Sequence, residues 1–271
     1  MTLHRSISHY ACPRGTTFIA FLGAVETAGF DGIAVTLASL GEMSIPHMRD
    51  ELRRRGLSVT SVNSAGYFLN SDPDRAREQA NRNAMLLEAT AELEAHALNV
   101  IVGGPGQGTW PLPTARQNAC EALAILDEQA ADLGVHLIIE PVHPLAIFEK
   151  GCLNTLSQTE AVIAGLQASS LNIDLFHSWW DPDLERAITA PKVPAGLLQI
   201  CGITASSAPP YAARTLPENG CVDPVPIIRQ FHATFPFAPV ELELFSDQLP
   251  DLSLDEMLRA ATAVFDAASL P

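Results

Sequence analysis

The sequence predicts an α/β protein built as a single (β/α)8 TIM barrel over residues 1–271. Short runs of apolar and β-branched residues alternate with stretches whose apolar residues recur at helical spacing, which is typical of parallel strands joined by crossover helices. Eight such runs are present, the number that closes a barrel. The 271 residues, 47% of them hydrophobic, can fill one large core.

The alternative architecture is an open, doubly wound sheet. Such a sheet normally carries a Gly-x-Gly-x-x-Gly turn after its first strand, and none follows the first run at 6–11. No linker or low-complexity stretch divides the chain. In order, the predicted strands are 6–11, 32–37, 58–64, 98–104, 136–142, 171–176, 197–203 and 240–245.

Helix start and stop residues lie between these runs. Ser44 can cap a helix that ends at Gly56, and Asp72 followed by Pro73 is a favourable helix start. A third amphipathic stretch ends at Gly134. The predicted helices are 45–55, 73–94, 114–133 and 254–268.

Charge and composition exclude several classes of partner. The chain has 16 basic against 31 acidic residues and a formal charge of −15, which is the wrong balance for binding nucleic acid or an anionic membrane surface. The longest apolar runs are too short to span a bilayer, and the N-terminus lacks the apolar region of a secretory signal. Five cysteines without a Cys-x-x-Cys pair indicate free thiols. We therefore expect a cytoplasmic protein with a small-molecule partner.

Polar side chains stand near the ends of the last four predicted strands. Glu140, Asp174 and Glu243 belong to strands five, six and eight, and Gln199 lies in strand seven. The carboxyl ends of parallel barrel strands meet on one face, where barrel enzymes carry their active sites, so we expect these side chains to converge. Glu241 shares a face with Glu243 and is the alternative at that strand.

Converging carboxylates in an apolar barrel repel one another and lose hydration, and a divalent cation removes that conflict. Three carboxylates and the amide oxygen of Gln199 form an all-oxygen shell, which favours a hard ion. We expect one divalent ion per chain, Mn²⁺ in the first place, with Mg²⁺, Zn²⁺ and Co²⁺ as alternatives. The competing interpretation is that these residues cap helices or pair with arginine, but their occurrence on four successive strands favours the metal.

The sequence resembles the xylose-isomerase-like TIM barrels, a family of sugar phosphate isomerases and epimerases. The resemblance runs from about residue 32 to the C-terminus and is carried by "GVHLIIEPVHP", "NIDLFHSWWDPDL", "LLQICG", "RTLPENGCVD" and "PVELELFS". It implies metal ligands at Glu140, Asp174, Gln199 and Glu243. Most members have His where this chain has Gln199, whereas certain 3-dehydroshikimate dehydratases resemble it in having Gln. Gly202 departs from the Asp that is common in the family, and "PENG" replaces its usual Pro-Gly-x-Gly loop.

The resemblance also implies roles in catalysis. Enzymes of this type remove a proton next to a carbonyl and return it elsewhere, with Glu140 and Glu243 as bases on opposite faces of the substrate. His177 is implied to contact substrate hydroxyls and to carry a proton. His143 repeats the same spacing after Glu140, and the guanidinium fork of Arg214 can hold an anionic or hydroxylated group. We expect both to bind substrate.

Aromatic side chains are expected to wall the pocket, because the apolar faces of sugars pack on aromatic rings. The candidates are Phe68, Trp110 and Trp179. Trp180 is the alternative to Trp179, since two adjacent tryptophans on a regular strand cannot both point inward.

These observations predict a divalent-metal-dependent isomerase or epimerase acting on a ketose or keto-polyol. A dehydratase or lyase of the same fold stays open, because the same enolate can expel a leaving group. A polyol-binding accessory subunit is the alternative without catalysis, and a homo-oligomer is compatible with the sequence. An abasic-site endonuclease of this fold is disfavoured by the acidic charge and the lack of histidines at the strand ends.

Overall fold

A closed barrel of eight parallel strands forms the centre of the computed structural model, which describes residues 2–106, 110–208 and 211–269. The barrel closes in the order β1-β2-β3-β4-β5-β6-β7-β10, and it confirms the (β/α)8 TIM barrel predicted from the sequence. The barrel strands are β1 (Arg5–Ser8), β2 (Gly32–Thr36), β3 (Ser58–Gly66), β4 (Leu98–Ile101), β5 (Leu137–Ile139), β6 (Ser169–Asp174), β7 (Ala195–Ile200) and β10 (Val240–Leu242).

Helices surround the barrel, and several begin and end at the residues predicted. Asp72 accepts hydrogen bonds from the backbone N–H groups of the first turn of α4, and Gly56 and Gly134 end α3 and α5 in the left-handed conformation. Among the described helices, none is both long and apolar enough to cross a membrane. The helices are α1 (Phe18–Thr27), α2 (Leu37–Glu42), α3 (Ile45–Arg55), α4 (Pro73–Glu92), α5 (Leu112–Leu133), α6 (Leu156–Ile163), α7 (Leu175–Ser178), α8 (Leu184–Thr189), α9 (Pro224–Thr234) and α10 (Leu254–Ser269).

The core lies between the barrel and the helices, while the barrel interior carries polar groups. Phe21, Phe231 and Phe265 are buried completely on the helical side. Inside the barrel, Ser6 and Glu241 are equally buried. The barrel strands therefore gain apolar burial mainly from their outer faces.

An antiparallel hairpin, β8 (Gly202–Ala205) and β9 (Ala212–Thr215), follows β7 and was not predicted. The predicted strand 197–203 is in fact two strands, because β7 ends at Ile200 and β8, which starts at Gly202, pairs with β9. A side chain at Gly202 would collide with the carbonyl oxygen of Leu216, at the base of the hairpin. Any side chain here, including the Asp implied by the family resemblance, would require the backbone at Leu216 to move.

Candidate functional site

The strand register brings the candidate residues together at one end of the barrel. Asp174 on β6 lies beside Gln199 on β7, and Gln199 lies beside Glu241 on β10. Glu140 and Glu243 follow directly after β5 and β10. All five residues are at most 5% exposed. The site therefore collects four carboxylates in a volume from which water is largely excluded.

Glu140 is held by two asparagines of the barrel interior. Its Oε2 accepts a hydrogen bond from Asn99 Nδ2 at 2.6 Å, and Asn172 Nδ2 lies 3.4 Å away. Its Oε1 is 3.5 Å from His177 Nε2. Burial, and next the charge of Asp174, raise the pKa of Glu140 to about 7, despite the opposing effect of Asn99. A carboxyl with such a pKa can exchange protons near neutral pH.

Arg214 joins Asp174 to Glu243. Its Nη2 lies 2.6 Å from Asp174 Oδ2 and 2.6 Å from Glu243 Oε2, and its Nη1 lies 3.3 Å from Asp174 Oδ1. Burial alone would raise the pKa of Asp174, but Arg214 and His177 outweigh it, and the pKa lies below its ordinary value. Burial raises the pKa of Glu243, with the neighbouring carboxylates acting in the same direction. The pairing with arginine considered from the sequence is thus present.

Gln199 lies in a buried network of amides and carboxylates. Its Nε2 donates to Glu241 Oε1 at 3.0 Å and to Glu243 Oε1 at 3.1 Å, while its Oε1 accepts from Asn172 Nδ2 at 2.7 Å. Thr60 and Ser61 donate to the other oxygen of Glu241. In this arrangement the amide oxygen that the sequence analysis assigned to a metal is directed to Asn172.

His177 lies in α7, one turn beyond Asp174, and is fixed on both sides. Its Nδ1 accepts the backbone N–H of His143 at 3.1 Å, and its carbonyl accepts Trp180 Nε1 at 2.9 Å. Burial lowers the pKa of His177 to about 3, so the imidazole is neutral at pH 7. Because Nδ1 is an acceptor, the proton of the neutral ring lies on Nε2, directed toward Glu140.

The residue types of the site fit a divalent ion. Glu140, Asp174 and His177 offer ligand atoms that lie within 4.8 Å of one another and are buried, so this group could hold such an ion. Two features oppose it in the present arrangement: the proton on His177 Nε2 and the guanidinium on both oxygens of Asp174. An ion would therefore be held here by the carboxylates of Glu140 and Asp174 after Arg214 has moved, and His177 would join them only if Nε2 lost its proton.

A cavity of about 100 Å³ opens onto these groups. Four of the residues singled out from the sequence line it together: Glu140, His177, Arg214 and Glu243. Further lining residues were not predicted, and they add hydroxyl groups, two amides and a cation: Tyr10, Asn63, Ser64, Tyr67, Asn99 and Lys150. Asn99 interrupts an apolar strand and was a visible signal, whereas no pattern singled out Tyr10 or Lys150.

The predicted aromatic wall is not among the described residues that line this cavity. Phe68 lines a separate depression beside α4 and α5. Trp179 is 37% exposed, whereas Trp180 packs its ring edge-on against His143. Trp110 is partly buried next to residues 107–109, which the structure does not describe. The roles predicted for Phe68, Trp110 and Trp179 stay predictions.

A much larger depression lies elsewhere on the described surface. It measures about 760 Å³ and is a groove between α1 and α10. Its lining consists mostly of small and charged side chains, such as Gly23, Ala24 and Asp255, without any of the strand-end groups. Size therefore does not identify the site; the convergence of buried titratable groups does.

Solved structures share this fold at low sequence identity. Protein SMc04130 from Sinorhizobium meliloti 1021 is 24% identical, with a TM-score of 0.87 over 97% of both chains. The IolI protein with a bound zinc atom is 17% identical, with a TM-score of 0.81 over 98% of both chains. The E. coli protein YcjR, a 3-keto-D-glucoside 4-epimerase, is 18% identical, with a TM-score of 0.74 over 97% of this chain and 99% of that chain. A search of curated proteins found no match.

The sequence itself identifies the family. A family model described as xylose isomerase-like TIM barrel matches residues 22–266, which is most of the chain. The match includes every strand-end residue discussed above, from Glu140 to Glu243. The closed barrel and the position of the site at the carboxyl ends of its strands agree with it. The chain belongs to the xylose isomerase-like TIM barrel family.

Proposed function

We propose that this protein is a divalent-metal-dependent isomerase or epimerase of a ketose or keto-polyol, which acts by removing a proton next to a carbonyl. The observation that carries the proposal is the buried carboxyl of Glu140, which faces the cavity beside His177 with a pKa raised to about 7. A base of this kind is partly ionised at neutral pH and strong enough to accept a proton from an activated carbon. The epimerase activity of the structural neighbour YcjR and the zinc of IolI agree with the proposal.

Glu140 acts as the base in this proposal. The hydrogen bond from Asn99 fixes Oε2 and leaves Oε1 as the oxygen that accepts the substrate proton. His177 donates its Nε2 proton to a substrate oxygen, because the backbone N–H of His143 holds the ring in that tautomer. A divalent ion held by the carboxylates of Glu140 and Asp174 would supply Lewis acidity toward the substrate carbonyl. The hydroxyls of Tyr10 and Tyr67 are available to bind the substrate hydroxyl groups.

A dehydratase or lyase is the second candidate, and a specific observation favours it. An epimerase needs a base on each face of the substrate, but Glu243 is bound by Arg214 and Gln199. Elimination needs only one base and one acid, which Glu140 and His177 supply. Gln199 also agrees with this candidate, because the family resemblance implies a glutamine at this position in certain 3-dehydroshikimate dehydratases.

Product analysis in D₂O tests both candidates. The protein, supplemented with Mn²⁺, is incubated with ketoses, keto-inositols, 3-keto-glycosides and 3-dehydroshikimate, and the products are followed by NMR and mass spectrometry. An isomerase or epimerase gives a product of unchanged formula that has taken up deuterium, whereas a lyase releases water or an aglycone. Conversion without deuterium exchange and without elimination would contradict proton abstraction.

A matched pair of variants assigns the base. Glu140→Gln should lower kcat by about 10²–10⁴, the range typical of lost acid–base catalysis. Glu160→Gln is the control, because Glu160 is also buried but pairs with Arg186 on helices outside the barrel. Equal activity in the two variants would remove Glu140 from the mechanism.

A further inference from the structure

Arg214 is a buried cation inside the acidic site. Its side chain is 3% exposed and contacts oxygens of both Asp174 and Glu243 at 2.6 Å. Two aromatic rings cover the guanidinium: Phe176, whose centroid is 4.5 Å away, and Phe245, at 5.2 Å. The guanidinium is therefore desolvated, and carboxylates and ring faces take the place of its hydration shell.

The guanidinium and a divalent ion would use the same oxygen atoms. Divalent ions bind carboxylate oxygens at about 2.0–2.6 Å, and the guanidinium already engages both oxygens of Asp174 and Oε2 of Glu243. The cluster holds four carboxyl groups against one arginine, so it carries net negative charge once an ion displaces their protons. The net charge of the cluster is thus compatible with a bound ion, but the contacts of Arg214 with Asp174 and Glu243 occupy the oxygens that would bind it.

Arg214 is also the partner that can move. It lies on β9 of the hairpin, which among the described strands is paired with β8 and not with any barrel strand. Asp174 and Gln199, by contrast, lie on paired barrel strands, and Glu243 follows β10 with its backbone N–H bonded to the carbonyl of Ile200. Withdrawal of the guanidinium needs no change in the barrel ladder.

We propose that Arg214 is an internal cation that competes with the divalent ion for Asp174 and Glu243, and thereby sets the metal affinity of the site. The proposal rests on the proposed function in one respect, which is that a divalent ion binds at Asp174 and the carboxylates beside it. Metal binding displaces the guanidinium from Asp174. The released guanidinium then faces the cavity, where it can contact an oxygen of the substrate.

Calorimetric titration with Mn²⁺ tests the proposal. Chelator-treated wild-type protein is compared with Arg214→Met, which keeps an apolar side chain of similar length without the charge. We expect Arg214→Met to bind Mn²⁺ at least tenfold more tightly than wild type. Arg186→Met is the matched control, because Arg186 forms a pair of similar geometry with Glu160, at 3.0 and 2.6 Å, and should leave the affinity unchanged. Equal or weaker binding by Arg214→Met would overturn the proposal.

Thermal unfolding with and without Mn²⁺ provides a second measurement in case Arg214→Met is unstable. Without metal, Arg214→Met leaves buried carboxylates without their cation, so its Tm should fall below that of wild type. Saturating Mn²⁺ should reduce this deficit, because the ion replaces the lost positive charge. A deficit of the same size with and without Mn²⁺, or a variant that does not fold in either condition, would show that Arg214 is only structural.

The outcome is independent of the reaction catalysed. A protein without activity on the tested sugars, but with tighter Mn²⁺ binding in Arg214→Met, keeps this inference and removes the proposed function. If the protein is active and wild type and Arg214→Met bind Mn²⁺ equally well, the proposed function stands and this inference is wrong.

Discussion

Replacing Glu140 by glutamine should stabilise the protein, and the gain should grow as the pH rises. Burial and the charge of Asp174 raise the pKa of Glu140 from 4.5 to about 7. Between these values the unfolded chain has lost the proton while the folded protein keeps it. The stability that this group contributes is therefore fully present below pH 4.5 and is lost as the pH rises to about 7.

The size of the effect follows from the pKa shift. Each pKa unit corresponds to about 1.4 kcal/mol, so the rise from 4.5 to about 7 costs the folded state about 3 kcal/mol once Glu140 is ionised. Glutamine has the same shape, still accepts the hydrogen bond from Asn99, and does not ionise. The free energy of unfolding of Glu140→Gln should therefore exceed that of wild type at pH 7.5, but not at pH 4.5.

Urea unfolding at several pH values, in the presence of a chelator, measures this difference. Subtraction of the wild-type curve from that of Glu140→Gln removes the contributions of Glu241 and the other carboxylates. Glu160→Gln is the control, since it breaks the ion pair with Arg186 and should be destabilising. A difference between Glu140→Gln and wild type that stays constant from pH 5 to 8 would refute the reasoning.

Three further predictions concern other parts of the network. Asn99→Leu removes a hydrogen bond that favours the carboxylate of Glu140, so the midpoint of kcat/KM against pH should move upward; an unchanged midpoint would contradict this role. Gln199→His should shift metal preference from Mn²⁺ toward Zn²⁺ in competition titrations, because imidazole suits zinc better than an amide oxygen; an unchanged preference would mean that Gln199 is not a ligand. Asp127→Ala should lower the free energy of unfolding by about 2–4 kcal/mol in urea, because two backbone N–H groups and one hydroxyl ahead of β6 lose their acceptor; a loss below the error of the assay would count against it.

The barrel strands could be predicted because a strand covered by helices appears in the sequence as an apolar run between turn residues. Their ends were less accurate: the runs at 136–142 and 240–245 extend three residues past the observed strands at Ile139 and Leu242. Polar residues such as Glu140 and Glu243 lie just past the last strand residue, but their backbone N–H groups still bond to the carbonyls of Val100 and Ile200 on the neighbouring strands. The hairpin was missed because the apolar pattern continues through its first residues, and hydrophobicity does not record a change of pairing partner or the close backbone contact that Gly202 allows.

The site was predictable as a set of residues but not as a set of contacts. Strand ends meet on one face of a barrel, so Glu140, Asp174 and Glu243 could be grouped from their positions alone. The pairing of Asp174 with Arg214 depends on how the hairpin folds back over 40 residues of chain. The direction of the Gln199 amide depends on Asn172 and Glu241, whose side chains are its neighbours only in three dimensions. The residues of the site could therefore be named from the sequence, whereas the pairing between their side chains depends on the tertiary structure.

The hairpin has a consequence for how this site can diversify. Because β8 and β9 pair only with each other, the segment that carries Arg214 can change in length and sequence without a compensating change in the eight-stranded ring. The packing of Gly220 against Gly202 fixes the base of the segment, so variation is confined to what lies above it. Exchange of this one segment for that of another barrel of the family would alter the charge at the carboxylates in a single step. The barrel thus acts as a constant framework, and the hairpin is the exchangeable part that adjusts its chemistry.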